Sequence, residues 1–147
     1  MPITPKEYSE MSKNASRKTN SVRNMTLAFL VGGAICTIGE ALINTYASLG
    51  AAQEDASAIT SVTLIFLSAL LTGIGVYDNI AKFGGAGSLV PITGFANAVV
   101  SPTLEFKSEG YVLGLGAKMF IIAGPVLVYG TVAATVYGVI YWIVQMV

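Results

Sequence analysis

Glu40 is where this sequence could most directly do chemistry. It is the one charged residue between Met25 and Gln53. A carboxyl group at membrane depth is costly and ordinarily faces a bundle interior or water. At 100° per residue, Thr37 and Asn44 share its side of a helix. One reading is a group that lines or gates a polar path. The other is a neutral, hydrogen-bonded contact between helices. A second candidate lies in residues 83–100, which carry no charge: Gly84, Gly85, Gly87 and Ser88, then Pro91 and Thr93, then Asn97. Within it the glycine run from Gly84 to Gly87 either presents backbone N–H groups to an anion or makes a tight turn.

Other chemistries lack their residues. The chain has no His and one Cys, Cys36. The usual zinc sites and Cys-His or Ser-His-Asp groupings are therefore excluded. Gly73-x-Gly75 and Gly114-x-Gly116 each lack the third glycine of a dinucleotide fingerprint, and no phosphate-binding loop occurs. The expectation is a protein that is not an enzyme and needs no cofactor or metal. A net charge of zero argues against nucleic acid as a partner.

The elements that must position these residues are apolar helices. Hydrophobic residues make up 54% of the chain and charged ones 11%, where a soluble domain carries about 25% charged residues. Residues 56–77 and 119–147 contain no Asp, Glu, Lys or Arg. A span needs roughly 20 apolar residues. The pattern predicts an all-α polytopic membrane protein of about four transmembrane or partly re-entrant helices in contact with the lipid bilayer. Residues 1–24 form a polar, basic leader and residues 25–147 the membrane domain. One domain of 147 residues is too small to enclose a wide pore alone, so an oligomer or a partner membrane subunit is expected.

The leader carries Lys6, Lys13, Arg17, Lys18 and Arg23 against Glu7 and Glu10. The positive-inside rule places it in the cytoplasm. It reads equally as a disordered tail or a surface helix, with Pro2 and Pro5 disfavouring helix at its very start. The first span covers residues 25–48. Small residues there, Gly32 and Gly39 among them, mark a packing face. A turn over 50–58 with Glu54 and Asp55 precedes a second span over 59–77, which carries Ser61, Ser68, Thr72 and Gly75 in a stripe. Glycine and proline make a continuous helix over 83–100 poor, so that segment reads either as broken or re-entrant or as a kinked short span. A polar turn follows at 102–110. The remaining stretch is too long for one span and breaks near 114–118 or at Gly124-Pro125, leaving a last span over 121–143. Gly130, Ala134 and Gly138 give it a small-residue packing face.

Several unusual blocks occur in order. They are Ala28-Phe-Leu-Val-Gly-Gly-Ala-Ile-Cys-Thr-Ile-Gly39, Leu71-Thr-Gly-Ile-Gly-Val-Tyr-Asp78, Phe83-Gly-Gly-Ala-Gly-Ser88, Val90-Pro-Ile-Thr-Gly-Phe-Ala-Asn97 and Lys107-Ser-Glu-Gly-Tyr-Val-Leu-Gly114. From Met25 onward the sequence resembles the stage V sporulation protein AC family. The shorter sporulation AE-type sister shares the early blocks but lacks the basic leader and the 107–114 block. The resemblance implies a membrane subunit of the spore dipicolinate system, in the forespore or spore inner membrane. That system loads pyridine-2,6-dicarboxylic acid, with calcium, into the developing spore and releases it on germination. The implied partners are the AE-type membrane subunit and a soluble dipicolinate-binding subunit. Family members often carry Gln where this chain has Glu40, which argues against a required negative charge there. Two function classes follow. One is a channel subunit for dipicolinate or its calcium chelate. The other is a membrane anchor that recruits the soluble partner without forming the pore.

Overall fold

The first helix starts on local signals. In α1 (Pro5–Ala15), the Glu7 N–H donates to Thr4 Oγ1 at 3.4 Å. The Glu7 carboxylate in turn accepts from the Thr4 N–H at 2.9 Å and from its hydroxyl at 2.8 Å. This reciprocal pairing satisfies free N–H groups of the first turn, and Pro5 suits the first helical position because its missing donor is not needed there. The sequence expectation that Pro5 opposes a helix is thus corrected. The Thr4 backbone N–H, and after it the Thr4 hydroxyl, hold the Glu7 carboxyl below the usual carboxylate range. A depressed acid contributes stability above its unfolded-state pKa and loses it as pH falls through the folded value. Thr4→Ala should therefore raise the Glu7 titration midpoint, read from its carboxyl carbon by NMR.

The computed structural model describes residues 4–15 and 19–146; Arg17 and Lys18 of the basic leader lie outside them. The described residues contain helices and no strand. Three helical stretches are long and apolar enough to cross a membrane. The protein is an all-α membrane protein.

Helix α2 (Ser21–Ser48) begins four residues before the predicted start, because Asn20 Oδ1 caps it by accepting from the Arg23 N–H at 3.3 Å. Four residues link it to α3 (Gln53–Gly73). The predicted turn is shorter than expected: α3 starts at Gln53 and takes Glu54 and Asp55 into its first turn, where the helix dipole favours acids. It also ends early, at Gly73, because Gly75 at φ +73° turns the chain in a conformation that L side chains rarely adopt.

The segment after it is broken, and the break starts sooner than the composition indicated. It comprises α4 (Tyr77–Gly84), α5 (Ala86–Leu89) and α6 (Ile92–Glu105). Gly85, at φ +48°, separates the first two. Pro91, extended at ψ 164°, separates α5 from α6. At 1.5 Å per residue even α6 is only about 21 Å long, short of a hydrocarbon core about 30 Å thick. The predicted polar turn at 102–110 is also shortened, since α6 runs on through Pro102 to Glu105. A 3₁₀ turn (Lys107–Glu109) and a π-helical turn (Tyr111–Gly116) then lead into α7 (Phe120–Met146). Of the two break points expected in this stretch, the chain uses the first and continues as helix through Pro125.

Helix α3 packs on α6 and α2, and α2 packs also on α4 and α5. Helix α7 is different. Among the described residues only its Ala123 is buried, and nearly all the rest of the helix is exposed. No described residue lies within 4 Å of where a Cβ at Gly130 or Gly138 would sit. The predicted packing face of Gly130, Ala134 and Gly138 therefore meets no helix of its own chain; Ala134 too is exposed.

Candidate functional site

Two sets of polar residues stand at membrane depth, and the chain treats them oppositely. The first is internal. Ser68 on α3 is 1% exposed and donates to the Thr93 carbonyl at 2.6 Å. Thr72, one turn on, donates to its own helix at Ser68 O and stands 2.9 Å from Asn97 Oδ1. Tyr77, 3% exposed, reaches the Ser88 carbonyl at 2.7 Å and Thr93 Oγ1 at 3.0 Å. The Ser88 hydroxyl donates to Gly85 O at 2.9 Å. Two of these bonds end on carbonyls beside the breaks at Gly85 and Pro91, those of Ser88 and Gly85. Irregular backbone at this depth persists only where protein or a water-filled cavity covers it, and here side chains of α3 and α4 do so. Tyr77→Phe removes the bonds to Ser88 and Thr93 and leaves the Ser88 carbonyl short of a donor. It should cost about 1–3 kcal/mol, read as a lower thermal midpoint in detergent.

The broken segment is held against α2 by glycines. A Cβ on Gly87 would overlap the Ala28 carbonyl, and one on Gly32 would come within 3.2 Å of Gly87 O. Gly84 faces Val31, whose Cγ1 would lie 2.7 Å from an added Cβ. Gly39 is buried with Leu64 3.6 Å from its Cβ position. Gly32 and Gly39 therefore do the packing expected of them. Between α2, α3 and α4 lies a cavity of about 180 Å³, lined by Ile35, Leu64, Leu71, Tyr77, Ile80 and Thr93. Its walls are almost wholly hydrocarbon, so it offers little to a charged solute.

The second polar set is external. Thr37, Glu40 and Asn44 are all exposed on α2. Asn44 Nδ2 donates to Glu40 Oε1 at 3.3 Å, and the Thr37 hydroxyl bonds back to Gly33 O at 2.8 Å. Glu40 is deep: its neighbour Gly39 packs on Leu64, near the middle of α3. The expected shared lining, with the polar side of α2 and residues 84–97 facing one route, does not form within one chain. Gly84, Ser88 and Thr93 are buried and Gly87, Pro91 and Asn97 partly so; of the seven residues expected in the lining there, Gly85 alone is exposed. Their side of α2 is the glycine stripe, about a quarter turn from Glu40. The sequence pattern puts Ser68 and Thr72 on one stripe but marks Tyr77 only as a helix end. The one signal for its role was its place just after the Gly73-x-Gly75 turn.

Two exposed faces and a closed polar interior define a polytopic helical membrane protein whose open polar group lies at mid-depth. Residues 24–140 match the SpoVAC/SpoVAEB sporulation membrane protein family, and the chain belongs to that family. It is 51% identical over 134 residues to stage V sporulation protein AC of Bacillus subtilis (strain 168), covering 90% of this chain and 89% of that one. No solved structure matches it.

Proposed function

We propose that this protein is a non-enzymatic channel subunit that moves dipicolinate, free or as its calcium chelate, into the developing spore and out again on germination. The observation that carries the reading is the exposed Thr37, Glu40 and Asn44 set at mid-depth of α2. An ionisable side chain there marks a solute or ion path by default. Membership of a sporulation membrane family supports a setting in the forespore or spore inner membrane. A dianionic cargo is repelled by a bare carboxylate, so the path works with Glu40 neutral or with the neutral chelate as cargo. The working assembly includes the sporulation AE-type membrane subunit and a soluble dipicolinate-binding subunit.

The leader lies in the cytoplasm in this reading. Its bases support that side, and the α2–α3 end, where neither the link nor the first turn of α3 carries a base, supports the other. A cysteine at Glu10, in a Cys36→Ala background, should resist a membrane-impermeant maleimide added outside sealed cells; ready labelling would invert the topology. The function itself is tested by dipicolinate efflux from liposomes holding the purified protein, alone and with the AE-type subunit. Efflux above that of empty liposomes is the expected result. Leakage at the empty-liposome rate in both preparations would leave the anchor role, in which the chain recruits the soluble subunit without forming the path.

A further inference from the structure

We propose that the Glu40 face of α2 is a self-association surface, where a second copy of this chain meets the first. Gly33, Cys36, Thr37, Glu40 and Asn44 are all exposed and fall within about 100° of helix circumference. Among the described residues no neighbour lies within 4 Å of a Cβ built on Gly33, so the surface is open to close approach by another helix. Lipid is a poor cover for it, because ionisable groups at this depth ordinarily face a bundle interior or water.

The chemistry of the face says what meets it. The stretch from Asn24 to Ala81 contains no Lys or Arg, so no base on either membrane-spanning helix of this hairpin answers Glu40. Within the chain, Asn44 uses one amide N–H on Glu40 Oε1. That leaves the second N–H as a donor and Glu40 Oε2 as an acceptor. An identical face at the same depth offers the matching acceptor and donor, as a rotationally symmetric contact between copies requires. The face is self-complementary without any charge of opposite sign. It concerns the same residues as the transport reading and rests on that reading only for what the interface encloses: a path between chains, where the single chain has an apolar cavity.

Cys36 is the one cysteine and is exposed beside Thr37, so the unaltered protein carries its own reporter. The full chain, expressed alone in membranes, is oxidised with copper phenanthroline and run without reductant. The expected product has twice the chain mass, disappears in Cys36→Ala, and falls several-fold in Glu40→Leu/Asn44→Leu. The altered side chains are exposed, so loss of the product reports lost association, and an unchanged thermal midpoint of the variant confirms the fold. Three results would overturn the proposal: no product in membranes, a product undiminished in the double Leu variant, or an adduct formed only with a co-expressed membrane protein of different mass. Efflux without the product sinks the interface and spares the transport reading. The product without efflux does the reverse.

Discussion

Gly87→Leu should leave almost no folded protein to recover from the membrane. The reason is backbone proximity. A Cβ at this position overlaps the Ala28 carbonyl, and the nearest other atoms are also backbone, the Ala28 C and Cα at 2.7 and 2.8 Å. No side chain can rotate away, so α5 must leave α2. Overpacking a core typically costs about 1–3 kcal/mol, and a clash between two backbones lies at or above the top of that range. The damage spreads, because Ser88 next door accepts from Tyr77 and caps the break at Gly85. Yield of full-length protein and its thermal midpoint in detergent measure the effect. Gly130→Leu is the contrast: its site is open on every side within the chain, so the midpoint should hold. If that variant loses assembled complex on a native gel, the α7 stripe meets another chain. A Gly87→Leu protein as abundant and stable as the parent would mean that α5 does not lie against α2.

Glu40→Leu should sharply reduce spore dipicolinate, and Glu40→Gln should leave it near normal. Both variants remove the charge, so the difference isolates the polar contact. Gln keeps an acceptor for the Asn44 amide, which now donates at 3.3 Å. Leu keeps none and puts branched hydrocarbon on the face, leaving Asn44 unanswered. Because the side chain is exposed on its own chain, neither change disturbs α2 packing on α3, and protein level should match the parent. Dipicolinate assays on spores carrying each variant, normalised to protein level, decide the matter. Normal content in the Leu variant at parental level would remove α2 from the path.

The spans were legible because charge is absent from them over long runs, and the family because its glycine-rich blocks are unusual. Gly32 and Gly39 were legible as packing residues from their size and spacing. Periodicity failed where one helix face divides. It grouped Gly32, Gly39 and Glu40 on one side of α2, yet the glycines turn to α5 and α3 while Glu40, a quarter turn off, faces out. The boundary of the broken segment was missed because Gly75 acts through its positive φ, which a pattern of apolar residues does not register. Tyr77 carried no periodic signal, and its role depends on the Ser88 carbonyl eleven residues away and the Thr93 hydroxyl sixteen away.

The closure of the Ser68, Thr72, Tyr77, Ser88, Thr93 and Asn97 network within one chain has a genetic consequence. A cell making both a network variant and the parent protein still makes parent chains that fold unaided, so such alleles are recessive. Alleles on the outward face of α2 act on chains that already fold and reach the membrane. On the self-association proposed above, those chains spoil an assembly shared with their parent-type neighbours, and a minority of altered copies is then enough to show.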